Sequence, residues 1–145
     1  MKTKSLILGI LACICSVMAT ACSSDDNLAV NEAVITAFQQ KYPNTTAKWG
    51  FENNLYKAEF VKNGAEVDAW FQADGTWVKS ETDLQVSDLP ANLKEIITRD
   101  YAQYVIDDVD WIETPNGNYY EVELEKAGAA DLYIYITAKG QYVNQ

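Results

Sequence analysis

The chain has 145 residues, a formal charge of −10, three cysteines and no histidine. Without histidine there is no imidazole metal site and no Ser–His or Cys–His nucleophile. The acidic balance opposes nucleic acid and anionic membrane surfaces, both of which demand basic patches, and nothing points to a cofactor.

Lys2 and Lys4 precede an apolar run from Ser5 to Met18, and Ala19-Thr20-Ala21 places small residues ahead of Cys22. This pattern predicts a secretory signal peptide over 1–21, too short and wrongly flanked for a spanning helix. Ala-Thr-Ala-Cys resembles a bacterial lipobox, which implies that the Cys22 thiol receives diacylglycerol and becomes the new N-terminus. Ala19 stands where that motif usually has leucine, so plain cleavage after Ala-x-Ala is the competing reading. Acyl methylenes at about 0.8 kcal/mol each would hold the protein at a leaflet of the outer membrane, periplasmic or surface-facing. Residues 22–29 then form a polar tether. Its pair Asp25-Asp26 resembles a surface-export signal and reads equally well as a solvated linker. Cleavage leaves 124 residues, enough for one domain, at a formal charge of −12. Cys13 and Cys15 leave with the signal, so acylation of Cys22 removes the last free thiol, and with it any disulfide or soft-metal site.

Val30, Val34, Phe38 and Tyr42 recur every fourth residue, with Ala33 and Ala37 filling the stripe, and predict an amphipathic helix stopped by Pro43-Asn44. Strands follow by their period-two alternation: a short one over 47–51, then Tyr56/Ala58/Phe60, Val67/Ala69/Phe71 and Trp77-Val78. A second helix carries Leu93, Ile97 and Tyr101, with Asp88 as its expected cap and Pro90 in its first turn. Strands over 108–113, around Tyr120/Val122/Leu124, around Leu132/Ile134/Ile136 and at Tyr142-Val143 complete the chain. Asn63-Gly64, Asp74-Gly75, Asn116-Gly117-Asn118, Ala127-Gly128 and Lys139-Gly140 supply the turns.

The two halves repeat one another. Tyr56-Lys57-Ala58-Glu59-Phe60, Gly64, Trp70-Phe71, Gly75 and Trp77-Val78 recur as Tyr120-Glu121-Val122-Glu123-Leu124, Gly128, Tyr135-Ile136, Gly140 and Tyr142-Val143. Upstream, Phe38 and Tyr42 correspond to Ile97 and Tyr101. The expected fold is α+β: a tandem duplication (copies 30–84 and 88–145) of a helix plus a four-stranded antiparallel meander. Together they would form one sheet of about eight strands with both helices on one face.

Phe38-Gln39-Gln40-Lys41-Tyr42-Pro43, Trp49, Tyr-x-Ala-Glu-Phe at 56–60, Ala69-Trp70-Phe71 and Asp74-Gly75-x-Trp77 resemble the PepSY-like, β-lactamase-inhibitor-like domains of bacterial envelope proteins. The resemblance spans 30–145 and is looser in the second copy, where Ala102-Gln103-Tyr104 replaces the Tyr-Pro helix stop. It implies the tandem fold and a secreted or lipid-anchored location. It implies little about activity.

If the helices cover the Tyr56/Phe60/Phe71/Ile134 face, Trp70, Tyr119, Tyr133 and Tyr135 lie on the other, among Asp68, Glu59, Glu121 and Glu123. Aromatics with polar tips amid carboxylates are what binding hot spots use, and they equally stabilise a one-layer sheet by cross-strand pairing. The expectation is a non-enzymatic module that docks an envelope protein or basic peptide there, inhibitor-like by fold analogy alone. The alternatives are a glycan or small-ligand reader using the same rings, a homodimer through that face, and a passive structural lipoprotein. Asp107-Asp108-x-Asp110 with Glu113 lacks the glycine and distal glutamate of a calcium loop and reads as a solvated strand start. Glu121 and Glu123, about 7 Å apart by strand spacing, would suit an inverting glycosidase, but the sequence suggests no cleft to raise one pKa.

Overall fold

The computed structural model describes residues 28–144. The expected signal peptide, Cys22 and all of the tether except Leu28 and Ala29 lie outside the described residues. Seven strands form one antiparallel sheet in strictly sequential order: β1 (Lys48–Glu52), β2 (Leu55–Lys62), β3 (Ala65–Phe71), β4 (Trp77–Leu84), β5 (Val105–Thr114), β6 (Gly117–Glu125) and β7 (Leu132–Ile136). Helix α1 (Glu32–Lys41) precedes β1, and α2 (Ala91–Asp100) stands between β4 and β5. The expected eighth strand is corrected to a single bridge, Ile136 to Tyr142, beside a hydrogen bond from the Val143 N–H to the Tyr135 carbonyl.

The start of α2 also differs from expectation. Asp88 closes a 3-10 turn (Val86–Asp88), and Pro90 takes the cap position with extended φ/ψ of −51° and 138°. Proline disfavours helical backbone in the residue before it, so Leu89 stays extended and drops its side chain, 1 % exposed, into the core. The helix therefore begins only at Ala91. Both helices end alike: the Tyr42 N–H bonds the Phe38 carbonyl at 2.7 Å, and the Tyr101 N–H bonds the Ile97 carbonyl at 2.8 Å.

Directly paired residues of an antiparallel ladder share a face, and the row Val67–Thr82–Trp111–Tyr120–Ile136 runs unbroken from β3 to β7. Both helices pack on that face, over two separate cores. Val34, Phe38 and Tyr42 meet Ala58, Phe60, Val67, Ala69 and Phe71. Leu89, Leu93 and Ile97 meet Val109, Val122, Leu124, Ile134 and Ile136. Polar groups inside the first core are paired. Fully buried Ser80 holds the Tyr42 hydroxyl at 2.5 Å and accepts the Trp77 indole N–H at 2.8 Å.

Each half fastens a strand-end turn to its helix. A side chain at Gly75 (φ +88°) would stand 2.7 Å from the Ala33 carbonyl oxygen, and one at Gly140 (φ +79°) 2.6 Å from Ile96 Cδ1. At Gly75 both the positive φ and the backbone approach call for glycine, whereas at Gly140 the Ile96 side-chain end can give way and the positive φ is the main reason. In the second half the seal continues with Tyr142, whose hydroxyl donates to Asp100 at 2.9 Å. Partial burial, then the neighbouring Asp100 carboxylate, push the Tyr142 pKa from 10.0 up to about 12. A folded-state pKa raised above the unfolded value gives stability that is complete below pH 10 and lost as pH rises through about 12. Chemical denaturation across that window should show wild type losing stability, and Tyr142→Phe should flatten part of the loss. An unchanged slope in the variant would remove the hydroxyl from this role.

Candidate functional site

The opposite face of the sheet carries the residues singled out above. Its central row runs Lys48–Glu59–Asp68–Glu81–Ile112–Tyr119 across six strands. A second row holds Gly50, Lys57, Trp70 and Lys79, a third Asp83, Asp110, Glu121 and Tyr135, and a fourth Asp108, Glu123 and Tyr133. All eight residues named from the sequence therefore share this face, but the structure sorts them into two unlike groups.

The group on β2 and β3 is closed. Trp70 is only 7 % exposed. Its cross-strand neighbours Lys57 and Lys79 bring their ammonium groups to 5.4 and 4.3 Å from the ring centroid, and its N–H donates to Glu52 Oε1 at 2.7 Å. The ring expected to supply contact area is thus roofed by lysines. Lys57 also binds Glu59 at 3.2 Å and Asp68 at 2.7 Å. Burial tends to depress the Lys57 pKa, but its two carboxylate partners outweigh that and hold it above its ordinary value. Asp68 is raised as well, because burial and repulsion from Glu59 and Glu81 exceed what Lys57 returns. Glu59 and Asp68 are therefore half of a local ion cluster rather than open bait for a basic partner.

The group on β6 and β7 is the more accessible. Tyr119 and Tyr135 meet edge to face at 5.8 Å, Glu121 lies opposite Tyr135, and Glu123 lies opposite Tyr133. The three tyrosines and Glu121 are half-buried, whereas Glu123 is only 6 % exposed. Asp110 and Glu121 are cross-strand neighbours, and so are Asp108 and Glu123. Asp107 sits at a bulge in β5, which lets Ile106 face the core while Asp108 and Asp110 face the open side. Among the described residues no group of carboxylates is arranged to hold a metal ion.

Sequence reasoning missed a shallow cleft of about 510 Å³ where the turn before β4 meets the β5–β6 turn, lined by Thr76, Trp77, Lys79, Thr114, Asn116 and Tyr119. Lys41 covers the Trp77 ring at 3.6 Å beside it. Its two sides are about forty residues apart, and only the β4–β5 pairing brings them together. It is open and mixed in character, away from Glu121 and Glu123, so it gives that pair no catalytic enclosure.

A family model described as "Putative beta-lactamase-inhibitor-like, PepSY-like" matches residues 54–143. The chain belongs to the PepSY-like family. Solved structures similar to this PepSY-like chain agree in fold. A BLIP-like protein from Bacteroides fragilis NCTC 9343 is 27 % identical, with a TM-score of 0.73 over 82 % of this chain and 86 % of its own. A DUF2874 family protein from Bacteroides uniformis ATCC 8492 is 23 % identical, with a TM-score of 0.71 over 78 % and 86 %. A Bacteroides eggerthii DSM 20697 structure described as "putative periplasmic proteins" is 24 % identical, with a TM-score of 0.71 over 80 % and 87 %. No curated protein matches the chain significantly. No helix among the described residues is long and apolar enough to cross a membrane.

Proposed function

We propose that this PepSY-like chain is a non-enzymatic lipoprotein of the cell envelope that docks a protein or peptide on the open face of its sheet. It is secreted across the inner membrane and anchored through Cys22. The observation that carries the reading is the mixture of tyrosines and carboxylates over β6 and β7, with Tyr133 and Tyr135 in register with Glu123 and Glu121. Half-buried tyrosines offer large contact area at small entropic cost, and the carboxylates of this face that reach the surface, Asp83, Asp108 and Glu121, select a basic partner and reject acidic ones, while Asp110 and Glu123 are buried beneath them. The likeness to a BLIP-like protein supports an inhibitor-like version in which that partner is an envelope enzyme. The matching helix ends and the matching glycine turns on α1 and α2 support descent of the two halves from one duplicated unit.

The geometry takes Trp70 out of the glycan alternative, because a sugar platform needs an open ring face and lysines cover that ring. The test is in-cell crosslinking of the lipidated protein beside a Tyr133→Ala/Tyr135→Ala variant that keeps Trp70. A partner captured by wild type, weakened by salt and lost in the folded variant is the expected result. Capture that survives the double substitution, or capture of nothing, would sink the proposal.

A further inference from the structure

Strand β1 is the one edge of the sheet that nothing among the described residues finishes. At the other edge, Tyr142 bridges Ile136 and Val143 bonds Tyr135. Outside its ladder with β2, β1 makes no backbone hydrogen bond among the described residues. Natural edges are blunted by proline, bulges, covering loops or charges along the strand, yet β1 contains no proline, its register with β2 is unbroken, and its two charges stand only at its ends. The two-residue Asn53-Asn54 turn, both residues at positive φ, closes on the Glu52–Leu55 pair. In such a hairpin the closing pair exchanges hydrogen bonds, and alternate residues address alternate neighbours. Lys48, Gly50 and Glu52 therefore bond β2, while Trp49 and Phe51 direct their N–H and C=O groups to the empty side.

The five residues read Lys48-Trp49-Gly50-Phe51-Glu52. Laid antiparallel against a second copy with Gly50 on the two-fold axis, every position meets its complement. Lys48 faces the second copy's Glu52, Trp49 faces Phe51, and Gly50 faces Gly50. The Trp49–Phe51 pairs are those whose backbone groups point outward, so each exchanges two hydrogen bonds. The glycines fall at the non-bonded pair, where strands approach most closely and a side chain is least welcome. The aromatic pair lies on the helix side. Phe51 is 48 % exposed there beside Tyr56, and Trp49 continues inward to Phe38. Moving the axis to Trp49 or to Phe51 leaves one hydrogen-bonded pair within β1 in place of two and sets Lys48 or Glu52 opposite glycine, so hydrogen bonding and charge select the same register. Both ends are within reach. The Lys48 side chain is 83 % exposed with a 3.7 Å contact to Glu59, and exposed Glu52, whose Oε1 accepts the Trp70 N–H, keeps its second carboxylate oxygen for the partner lysine.

We infer that the β1 edge is a homodimer interface, two copies pairing antiparallel through Lys48–Glu52 to make one continuous sheet. The interface is isologous, it closes on itself, and it leaves the tyrosine face of both copies open. It stands whether or not that face binds a partner.

The test uses purified protein and two single charge reversals. By sedimentation at high micromolar concentration wild type should be a dimer. K48E places two carboxylates opposite each other at both ends and should be a monomer, as should E52K with two ammonium groups. An equimolar mixture of the two restores both pairs and should dimerise. Hydrogen exchange gives a readout that needs no variant: the Trp49 and Phe51 amides should be protected in the dimer and slowed further as concentration rises. A monomeric wild type, a K48E variant that dimerises as tightly as wild type, or Trp49 and Phe51 amides that exchange freely at every concentration would each overturn the inference.

Discussion

Phe38→Ala should remove about 3–5 kcal/mol of folding stability, the range for deleting a large aromatic from a packed core. Phe38 is 1 % exposed and lies at the centre of the first core. Its ring meets Trp49 and Phe60 edge to face at 5.3 Å, Phe71 at 6.3 Å and Tyr42 at 5.4 Å. The loss thus combines the transfer term with four aromatic contacts and a cavity under rigid strands that cannot collapse into it. Set against the typical 5–15 kcal/mol of a whole domain, it brings the protein close to its unfolding threshold. Urea denaturation followed by tryptophan fluorescence measures it. A cost near that of a surface substitution, within about 0.5 kcal/mol, would mean that α1 is not seated on β2 and β3 as described.

Leu93→Ala should cost about 2–5 kcal/mol by the same mechanism in the second core. Leu93 is fully buried from α2 onto β5, β6 and β7, and it also underlies the Gly140 turn. The two cores share no residue. Their effects should therefore add, with a coupling no larger than about 0.3–0.5 kcal/mol. The milder pair Phe38→Leu and Ile97→Val keeps the double variant folded for that cycle. A larger coupling would show that β4 and β5 transmit repacking from one half to the other.

Alternation and turn residues made most of the fold legible, because buried strands and helices have no choice of period. Of the expected stripe Val30/Val34/Phe38/Tyr42, Val34 and Phe38 lie on α1, Val30 precedes it and Tyr42 caps it, and the alternation of β2, β3, β6 and β7 matches the observed faces. Three things were not legible. Asp88 looked like a cap because its side chain suits one, but the extended backbone of Leu89 and Pro90 postponed the helix. Trp70 could be assigned to its face, and the Asn63-Gly64 turn even fixes Lys57 opposite it. Whether the lysines fold over the ring or stand in water is decided by rotamers, which a pattern of residue types does not contain. The cleft between Trp77 and Asn116 depends on β4 pairing with β5 across α2, a long-range choice that no local signal announces.

The sequential strand order has a kinetic consequence. Every strand pairs with its immediate predecessor in the chain, so loop closure is cheap for every ladder except β4–β5, which waits for α2 to pass. Among the described residues the first core draws on the stretch between Val30 and Ser80. A chain delivered N-terminus first can bury Phe38 beneath α1 before α2 has emerged, leaving β4 as a growing edge. Each later strand then adds to a template already in place, and the aggregation-prone interval shrinks to the time the next hairpin needs to arrive.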